Sequence, residues 1–226
     1  MNELNHVAVI MDGNGRWGLK NKKSRNYGHL RGIKRAETII KASVTQKIPF
    51  LTLYTFSTEN WKRPENEINF LFDLIRKSLR KNLKEIIKEG VKINVIGKRK
   101  DLPNDVNRII KIVEKKTFNN KMITLNLALN YGSKEEIINA CKSLAKKKRK
   151  EINIKNFEKE LYTKNIPHPD ILIRTGGKRR LSNFLLWQLA YAEIFFVNKL
   201  SPDFNEDDFN NILKKYNKIK RNFGKI

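Results

Sequence analysis

The chain has a single cysteine, few acidic residues and no long apolar run. Because Cys141 is the only cysteine among 226 residues, no disulfide forms within the chain, and a reducing compartment is expected. The most apolar stretch, residues 184–197, is broken by Gln188 and Glu193 and is too short to span a bilayer. The first residues, MNELNHVAV, lack the basic and apolar regions of a signal peptide. We therefore expect a cytoplasmic protein, at most peripheral at the inner face of the membrane.

Acidic charge is scarce relative to basic charge. Lys and Arg number 48 against 23 Asp and Glu, which gives a formal net charge of +25. Such an excess indicates an anionic partner, either nucleic acid, an acidic membrane or a phosphorylated substrate. Lysine is abundant along the whole chain, so basicity alone does not choose among these partners. The run KKKRK at 146–150 is typical of a solvated helix end, with contact to anionic lipid as the alternative.

Strand-like and helical patterns alternate from end to end. We expect one domain over residues 1–226, because no linker or repeat divides the chain. Continuous apolar strands separated by amphipathic helices predict a parallel sheet covered on both faces. Cys141, at helical spacing with Ile137, Ile138 and Leu144, is interpreted as a small core residue. Strands are predicted at 7–11, 50–56, 91–96, 123–130, 171–174 and 194–197, and helices at 30–46, 68–89, 104–116, 134–147, 154–164 and 206–218.

The segment HVAVIMDGNGRW carries the strongest chemical signal. An apolar strand stops at Asp12, and Gly13, Asn14, Gly15 and Arg16 follow at once. Glycines allow the backbone to approach a phosphate, N–H groups and arginine hold its oxygens, and aspartate binds Mg²⁺. The alternative is an ordinary strand-to-helix turn, in which Asp-Gly and Asn-Gly are common.

The same segment matches the pattern G-x-G-x-x-G through Gly13, Gly15 and Gly18. A dinucleotide site would require a helix that opens immediately and an acidic residue about 20 positions further on. Residues 19–25, LKNKKSR, show no helical apolar periodicity, and the next strand reaches an acid only at Glu59. We therefore exclude a nicotinamide site.

Polar residues also follow the other predicted strands, at 57–61, 130–132 and 174–177. In open parallel sheets, ligands bind beyond the carboxyl ends of the strands, so one shared crevice is expected. Several arginines with one or two carboxylates suit two diphosphates and a divalent cation. Glu193 lies in the apolar run LLWQLAYAEIFF, which indicates a metal or a polar partner, with a salt bridge as the alternative.

Long motifs then identify a resemblance. HVAVIMDGNGRWG, YGH, LYTFSTENWKRP, NYG, DILIRTGGKRRLSNFLLWQLAYAE and PDF follow one another between residues 6 and 204. Together they resemble the cis-prenyltransferase family, in particular its bacterial undecaprenyl diphosphate synthases. The resemblance implies an α/β fold with a six-stranded, mostly parallel sheet flanked by helices, an apolar tunnel for the prenyl chain, and a homodimer. It also implies repeated Mg²⁺-dependent cis-condensation of isopentenyl diphosphate onto an allylic diphosphate such as farnesyl diphosphate, which supplies the lipid carrier for cell-wall polysaccharide synthesis.

The resemblance implies roles for individual residues. Asp12 is the Mg²⁺-binding carboxylate and Glu193 is the second metal-site acid. Asn60 stands at the position of the proton acceptor, but a carboxamide is a poor base, so the alternative is that Asn60 orients substrate while a diphosphate oxygen takes the proton. Substrate binding is expected of three groups of residues. The first follows the first strand and comprises Gly13, Asn14, Gly15, Arg16, Trp17, Arg25 and His29. The second lies on a mobile loop and comprises Ser57, Thr58, Glu59, Trp61 and Arg63, and the third matches the isopentenyl diphosphate side and comprises Arg174, Arg180, Leu181 and Ser182.

Apolar residues of the strands and of the second predicted helix are candidates for the tunnel wall, although core packing explains them equally well. Val95 and Leu127 are expected to close its far end. The candidates are Leu51, Leu53, Phe70, Leu71, Leu74, Ile93, Val95, Leu125 and Leu127.

Other function classes are less well supported. No Asp-rich DDxxD pair occurs, which argues against a trans-prenyltransferase. A basic nucleic-acid-binding protein would need a reading module, and no such signature is present, so no nucleic-acid partner is expected. A noncatalytic partner subunit of this family is disfavoured because Asp12, Asn60 and Arg174 are present together with the other motif residues.

Overall fold

The computed structural model describes residues 3–146 and 152–222, so residues 147–150 of the predicted basic helix end lie outside the described residues. This part of the chain forms six strands and seven α-helices. The strands are β1 His6–Ile10, β2 Phe50–Ser57, β3 Val91–Ile96, β4 Ile123–Tyr131, β5 Ile171–Arg174 and β6 Glu193–Phe196. The helices are α1 Asn14–Lys20, α2 Arg25–Thr45, α3 Glu65–Lys88, α4 Asn104–Thr117, α5 Ser133–Leu144, α6 Ile154–Glu158 and α7 Glu206–Tyr216.

The strands form one sheet in the order β3-β4-β2-β1-β5-β6, and all five pairings are parallel. This confirms the predicted fold class and places the strands within about two residues of the predicted bounds. Because every strand runs the same way, the sheet has one carboxyl end and one amino end. Val7 of β1 is level with Leu51 of β2 and with Ile171 of β5.

Side chains alternate between the two faces of the sheet, as the pleat requires. Val7 and Val9 join the larger core, which α2, α3, α4 and α7 cover. Ala8 and Ile10 join a smaller core on the other face, with apolar residues of the segment 184–189. A third cluster lies between α5 and α6. None of the helices among the described residues is both long and apolar enough to cross a membrane.

Helix α1 was not predicted. The argument against a dinucleotide site relied partly on the absence of a helix after Gly13, and that part is wrong. A helix does open directly after Asp12 and Gly13. Its buried residues are Gly15 and Gly18, which approach α2 so closely that a Cβ on Gly18 would lie 2.2 Å from the Ser24 carbonyl oxygen. A short helix that packs through glycine shows no apolar periodicity, so the pattern could not reveal it.

Three other features differ from the sequence predictions. Cys141 is exposed, whereas its neighbour Ala140 is fully buried on the inner face of α5. Helix α2 begins at Arg25, five residues before the predicted start, because Ser24 caps it by accepting the Tyr27 N–H at 3.1 Å. Helix α6 ends at Glu158, well short of the predicted residue 164.

A buried chain of polar side chains crosses four strands. The His6 Nδ1 lies 2.6 Å from the carbonyl oxygen of Pro167, which can only accept, so Nδ1 carries the proton. His6 Nε2 therefore accepts from the Thr52 hydroxyl at 2.7 Å. Thr52 in turn accepts from Asn126 at 3.2 Å, and Asn126 accepts from Asn94 at 2.8 Å. Burial lowers the pKa of His6 to about 4, so the ring is neutral at pH 7.

We expect stability to fall when His6 is forced to take up a proton. Since the unfolded chain binds that proton near pH 6.5 and the folded protein only near pH 4, the contribution of His6 is complete above pH 6.5 and is lost as the pH falls to 4. The loss is on the order of 3 kcal/mol, from about 1.4 kcal/mol for each pKa unit. Urea unfolding of the wild type and of His6→Gln between these pH values measures it.

The variant should show a shallower pH dependence, with a residual slope from His29, whose pKa burial also lowers. Burial dominates the low pKa of His6 and the charge of the exposed His168 adds only a minor part, so His168→Gln is the control and should change the slope much less than His6→Gln does. Equal slopes in the wild type and His6→Gln would contradict the assignment.

Candidate active site

A large cavity lies between the sheet and helices α2 and α3. Its volume is about 1230 Å³, above the range of roughly 300–1,000 Å³ that is usual for small-molecule pockets. At the carboxyl end of the sheet it is lined by Asp12 and Arg174, and near the amino end by Val91 and Glu89. Polar groups therefore stand at one opening of a cavity whose middle is apolar.

Asp12 lies at the carboxyl end of the sheet, directly after β1. Its Oδ1 accepts from Arg16 Nη2 at 3.2 Å, and its Oδ2 accepts from Arg174 Nη2 at 2.9 Å. Gly13 has φ 105°, and a Cβ there would lie 2.7 Å from Leu200, so the turn after Asp12 requires glycine. The structure thus brings together Asp12, Arg16 and Arg174 as the sequence predicted, with one carboxylate between two guanidinium groups.

Arg174 is the most buried cation of the site, with 3% of its surface exposed. Its Nη1 donates to the Ser182 hydroxyl at 2.7 Å and to the Arg180 carbonyl. Its Nε is buried without a hydrogen-bond partner in the described part of the chain. Ser182 and Asn183, which complete this wall, have φ 50° and 62°, a strained left-handed backbone that is common at functional sites. A buried guanidinium with an unmatched N–H suits an anionic ligand.

Glu67, which sequence analysis missed, holds three of the predicted substrate-binding residues. Its carboxylate accepts from Arg25 at 2.9 and 3.2 Å, from His29 at 2.9 Å and from Arg63 at 3.2 Å. Burial alone would raise its pKa, but the hydrogen bonds from Arg25 and His29 and the charge of Arg63 lower it to about 2. Glu67 therefore stays ionised and holds together the Arg25 and Arg63 guanidinium groups and the His29 ring, whose own pKa burial lowers. Its position four residues after Arg63, in the first turn of α3, was the available signal.

Asn60 lines the cavity, but its carboxamide oxygen is already engaged. Ser57 and Asn60 form a capping box on the 3₁₀ helix Thr58–Lys62, in which the Ser57 N–H donates to Asn60 Oδ1 at 3.1 Å. The remaining polar group, Nδ2, can only donate. This geometry favours the alternative in which Asn60 orients a substrate oxygen.

The other predicted residues of the loop after β2 differ in whether they line the cavity. Ser57, Glu59 and Arg63 line the cavity, and Glu59 accepts from Asn183 Nδ2 at 2.8 Å. Burial opposes ionisation of Glu59, but the hydrogen bonds from Asn183 and its other neighbours lower its pKa below the ordinary value. Thr58 and Trp61 do not line the cavity.

The two tryptophans that were predicted to bind substrate contact residues around the site instead. Trp61 donates its indole N–H to Asn130 at 2.8 Å, and its ring centroid lies 5.2 Å from that of Phe56. Trp17 donates to Asp203 at 2.6 Å and stacks on Tyr27. Neither residue lines the cavity, so the structure does not bring Trp17 or Trp61 to the predicted substrate position.

The remaining predicted substrate residues do meet in the cavity. They line it at the carboxyl end of the sheet, and sequence analysis missed four neighbours there, Gly32, Tyr54, Lys134 and Asn183. The Tyr54 hydroxyl donates to the Tyr131 carbonyl at 3.1 Å, and burial raises its pKa. A Cβ on Gly32 would lie 2.4 Å from Asn14, so glycine leaves room for that side chain. The lining residues that were predicted are Gly13, Asn14, Gly15, Arg16, Arg25, His29, Arg180, Leu181 and Ser182.

Glu193 lies apart from Asp12 within one chain. It is the first residue of β6 and is level with Ile171, whereas Phe196 is level with Arg174. Three residues of strand span about 10 Å, so Glu193 stands toward the amino end of the sheet. Its nearest cation is Arg221, at 3.9 Å. The single chain does not join the two predicted metal ligands, and the metal role of Glu193 stays a prediction.

A divalent cation fits Asp12 only together with a ligand. No cluster of three or more His, Cys, Asp or Glu residues that could hold a metal occurs in residues 3–146 and 152–222. Mg²⁺ is commonly bound through one or two carboxylates, several waters and the phosphates of a substrate. Asp12, beside two arginines at the mouth of a cavity, suits that arrangement.

Comparison with known proteins decides the family. Residues 10–224 match the profile of a family described as "putative undecaprenyl diphosphate synthase". The chain belongs to this prenyltransferase family. It is 46% identical to an isoprenyl transferase of Prochlorococcus marinus subsp. pastoris, over 98% of the chain and 84% of the relative. It is also 40% identical to an isoprenyl transferase of Rickettsia typhi, over the whole length of both.

Solved structures of prenyltransferases share the fold. A lavandulyl diphosphate synthase from Lavandula x intermedia, solved in complex with dimethylallyl diphosphate, has a TM-score of 0.95 and 33% identity over 98% of each chain. A "probable undecaprenyl diphosphate synthase" from Campylobacter jejuni has a TM-score of 0.84 and 37% identity over the full length of both chains. The predicted family and the predicted enzyme class, a transferase of prenyl groups, are confirmed.

We expect Glu67→Gln to destabilise the prenyltransferase fold near this site. The substitution keeps the shape of the side chain but removes the charge that Arg25, His29 and Arg63 share. Loss of hydrogen bonds to a charged group typically costs about 1.5–3 kcal/mol. Urea unfolding at pH 7 measures the change, and Glu65→Gln, at an exposed acid of the same helical turn, is the control. Equal stability of the two variants would contradict a central role for Glu67.

Proposed function

We propose that this prenyltransferase condenses isopentenyl diphosphate repeatedly, in the cis configuration and with Mg²⁺, onto an allylic diphosphate such as farnesyl diphosphate. The observation that carries the proposal is the junction of Asp12 and its arginines with an apolar cavity of about 1230 Å³. Charged groups suit the diphosphates, and the cavity suits a growing hydrocarbon chain. The proposed product is of the undecaprenyl diphosphate type, a lipid carrier for cell-wall polysaccharide, and the proposed unit of function is one domain over residues 1–226.

Two groups of basic side chains support two diphosphate sites. Arg25, His29 and Arg63 surround Glu67 beside the start of α2, and we assign the allylic diphosphate to this side. Arg174 and Ser182 are joined at the end of β5, together with the neighbouring Arg180, and we assign isopentenyl diphosphate there. Asp12 contacts Arg174 directly and so stands where the two groups meet.

The proposed reaction replaces the allylic C–O bond with a new C–C bond and transfers one proton from the isopentenyl group to a diphosphate oxygen. The allylic C–O bond breaks, and its electron pair leaves with the diphosphate, whose developing charge Arg16 and the other arginines stabilise. The alkene of isopentenyl diphosphate attacks the allylic carbon, and loss of one proton to a diphosphate oxygen completes the new double bond. Asn60 Nδ2 orients the substrate by donation. Mg²⁺, held by Asp12 and the diphosphate, would supply additional charge stabilisation to the leaving group.

The cavity beyond the charged end is our candidate for the prenyl tunnel. Six of the nine predicted wall residues line it: Leu53, Leu71, Leu74, Ile93, Leu125 and Leu127. Leu51, Phe70 and Val95 do not, which corrects the expectation for them. Val95 lies under α4, where its N–H donates to Glu114. Leu127 is level with Leu53 of β2, between the charged end and the far end, so it does not close the tunnel.

We also propose a homodimer that uses the β6 edge of the sheet. Among the described residues β6 pairs only with β5, which leaves its other edge available. Tyr191, Ile194 and Phe196 are exposed there, by 72%, 40% and 39%. Exposed apolar side chains on a free sheet edge are typical of an interface. Peripheral contact with a membrane completes the proposal, because the product is a lipid.

We expect Asp12→Ala to lose nearly all condensation while the protein stays folded. Removal of a group that stabilises developing charge typically costs about 10²–10³-fold in rate. Incorporation of labelled isopentenyl diphosphate with farnesyl diphosphate and Mg²⁺ measures activity, and circular dichroism checks the fold. Asp101→Ala, at an exposed aspartate outside the cavity, is the control. A folded Asp12→Ala protein with near-normal turnover would contradict the proposal.

We expect product length to depend on where the cavity is blocked. Leu127→Trp fills it nearer to Asp12 than Ile93→Trp does, since Ile93 is level with Leu125, two residues closer to the amino end. Two residues of strand correspond to about 7 Å of tunnel. Leu127→Trp should therefore give the shorter product, with the first condensation spared in both variants.

Phe70→Trp, on the outer side of α3, is the matched control and should leave product length unchanged. Chromatographic sizing of the labelled products measures the series. Unchanged length in folded Leu127→Trp and Ile93→Trp would show that this cavity is not the tunnel.

A further inference from the structure

The cavity also reaches the surface near the amino end of the sheet. Lys41 and Glu85 line it there, and their side chains are 66% and 51% exposed. They form an ion pair of 2.7 Å between α2 and α3. Exposed residues that line a cavity mark an opening, so the cavity has a distal mouth far from Asp12.

Three exposed apolar side chains surround the β3 end of this mouth. Ile87, Phe118 and Met122 are exposed by 40%, 66% and 55%. Backbone hydrogen bonds hold two of them together, since the Met122 N–H donates to the Gly90 carbonyl at 3.0 Å and the Gly90 N–H donates to the Ile87 carbonyl at 3.1 Å. The next residue, Val91, lines the cavity.

Lysines accompany these apolar residues. Lys88 and Lys121 are exposed and adjoin Ile87 and Met122 in sequence, and the Lys92 ammonium lies 4.9 Å from the centroid of the Phe118 ring. Over residues 76–88, α3 carries six Lys or Arg residues and one acid, Glu85, which is paired with Lys41. Glu37 and Glu89 are the other acids that line the cavity close to Lys41. The patch of Ile87, Lys88, Lys92, Phe118, Lys121 and Met122 is here called the distal surface.

We propose that the distal surface docks on an anionic lipid bilayer. Exposed apolar side chains enter the boundary between headgroups and acyl chains, and lysines beside them attract anionic headgroups. If the proposed function holds, the position of this surface explains how product is released. A prenyl chain that grows past α3 emerges at the distal mouth, where the bilayer begins. The product then passes into lipid without crossing water.

The observations favour a bilayer over nucleic acid as the partner. Only one aromatic residue stands among the lysines of the distal surface, whereas Ile87 and Met122 offer no base-stacking face. Aliphatic side chains exposed beside an apolar cavity suit a hydrocarbon phase. The proposed dimer edge, β6, lies at the opposite side of the sheet from β3, so both contacts are compatible.

Vesicle binding without substrates tests the docking separately from catalysis. The protein is mixed with vesicles of phosphatidylcholine alone, or with about 30% phosphatidylglycerol, at about 0.15 M salt, and the bound fraction is measured by flotation. We expect binding to the anionic vesicles and little to the neutral ones. Lys88→Gln with Lys92→Gln and Lys121→Gln should weaken the partition coefficient about 100-fold, from about fivefold for each lysine near the surface.

Matched variants separate position from charge. Lys142→Gln with Lys155→Gln and Lys159→Gln removes the same charge from α5, from α6 and from the residue that caps α6, on the other face of the sheet. This variant should bind nearly as the wild type does. Phe118→Ser with Met122→Ser should weaken binding at unchanged charge, whereas Ile138→Ser, at an exposed residue of α5, should not. Circular dichroism checks that each variant is folded.

Equal losses in the distal and the α5–α6 lysine variants, or binding to duplex RNA but not to anionic vesicles, would overturn the proposal. A prenyltransferase assay with a soluble allylic diphosphate, run in parallel, keeps the two questions apart. Vesicle binding without condensation would contradict the proposed function alone, and condensation without vesicle binding would contradict the docking alone.

Discussion

A concentration of positive charge must be held at one end of the sheet before any ligand arrives. Arg16, Arg25, Arg63 and Arg174 converge there, and two carboxylates hold them in place. Asp12 joins α1 to β5, and the buried Glu67 joins α2 to the loop before α3. Without these anions the guanidinium groups would repel one another at short range. The fold of the whole cavity mouth depends on this balance, because each carboxylate bridges elements that are distant in sequence.

The strands were predictable because their apolar runs are continuous, and β1 and β5 inside the sheet are buried on both faces. Helices with a wide apolar stripe, such as α3 and α4, were predictable for the same reason. Helix α1 was not, since it packs through Gly15 and Gly18 and has no apolar stripe at all. Cys141 was misplaced because helical spacing defines a stripe only to within about one residue, and Ala140 takes the buried position instead.

The candidate site was predictable where its residues follow strand ends directly. Asp12 follows β1 and Arg174 ends the neighbouring parallel strand β5, so topology alone brings them together. Glu67 was missed because its partners Arg25 and His29 lie about 40 residues away, and acidic residues in the first turn of a helix are commonplace. The sequence motif that includes Trp61 shows that the residue belongs to the loop, but not that its indole N–H binds Asn130 outside the cavity.

The chain of His6, Thr52, Asn126 and Asn94 has a consequence for strand alignment. These polar residues alternate with the leucines and isoleucines whose side chains form the cavity wall, so Asn126 lies between Leu125 and Leu127. Because a strand repeats every two residues, a slip of one position would turn each polar side chain onto the opposite face. A misaligned sheet would therefore lose the hydrogen bonds among these four side chains. It would also place the amides of Asn94 and Asn126 on the face that lines the apolar cavity. The apolar character of the face that lines the cavity therefore depends on the hydrogen bonds that hold the polar residues on the opposite face.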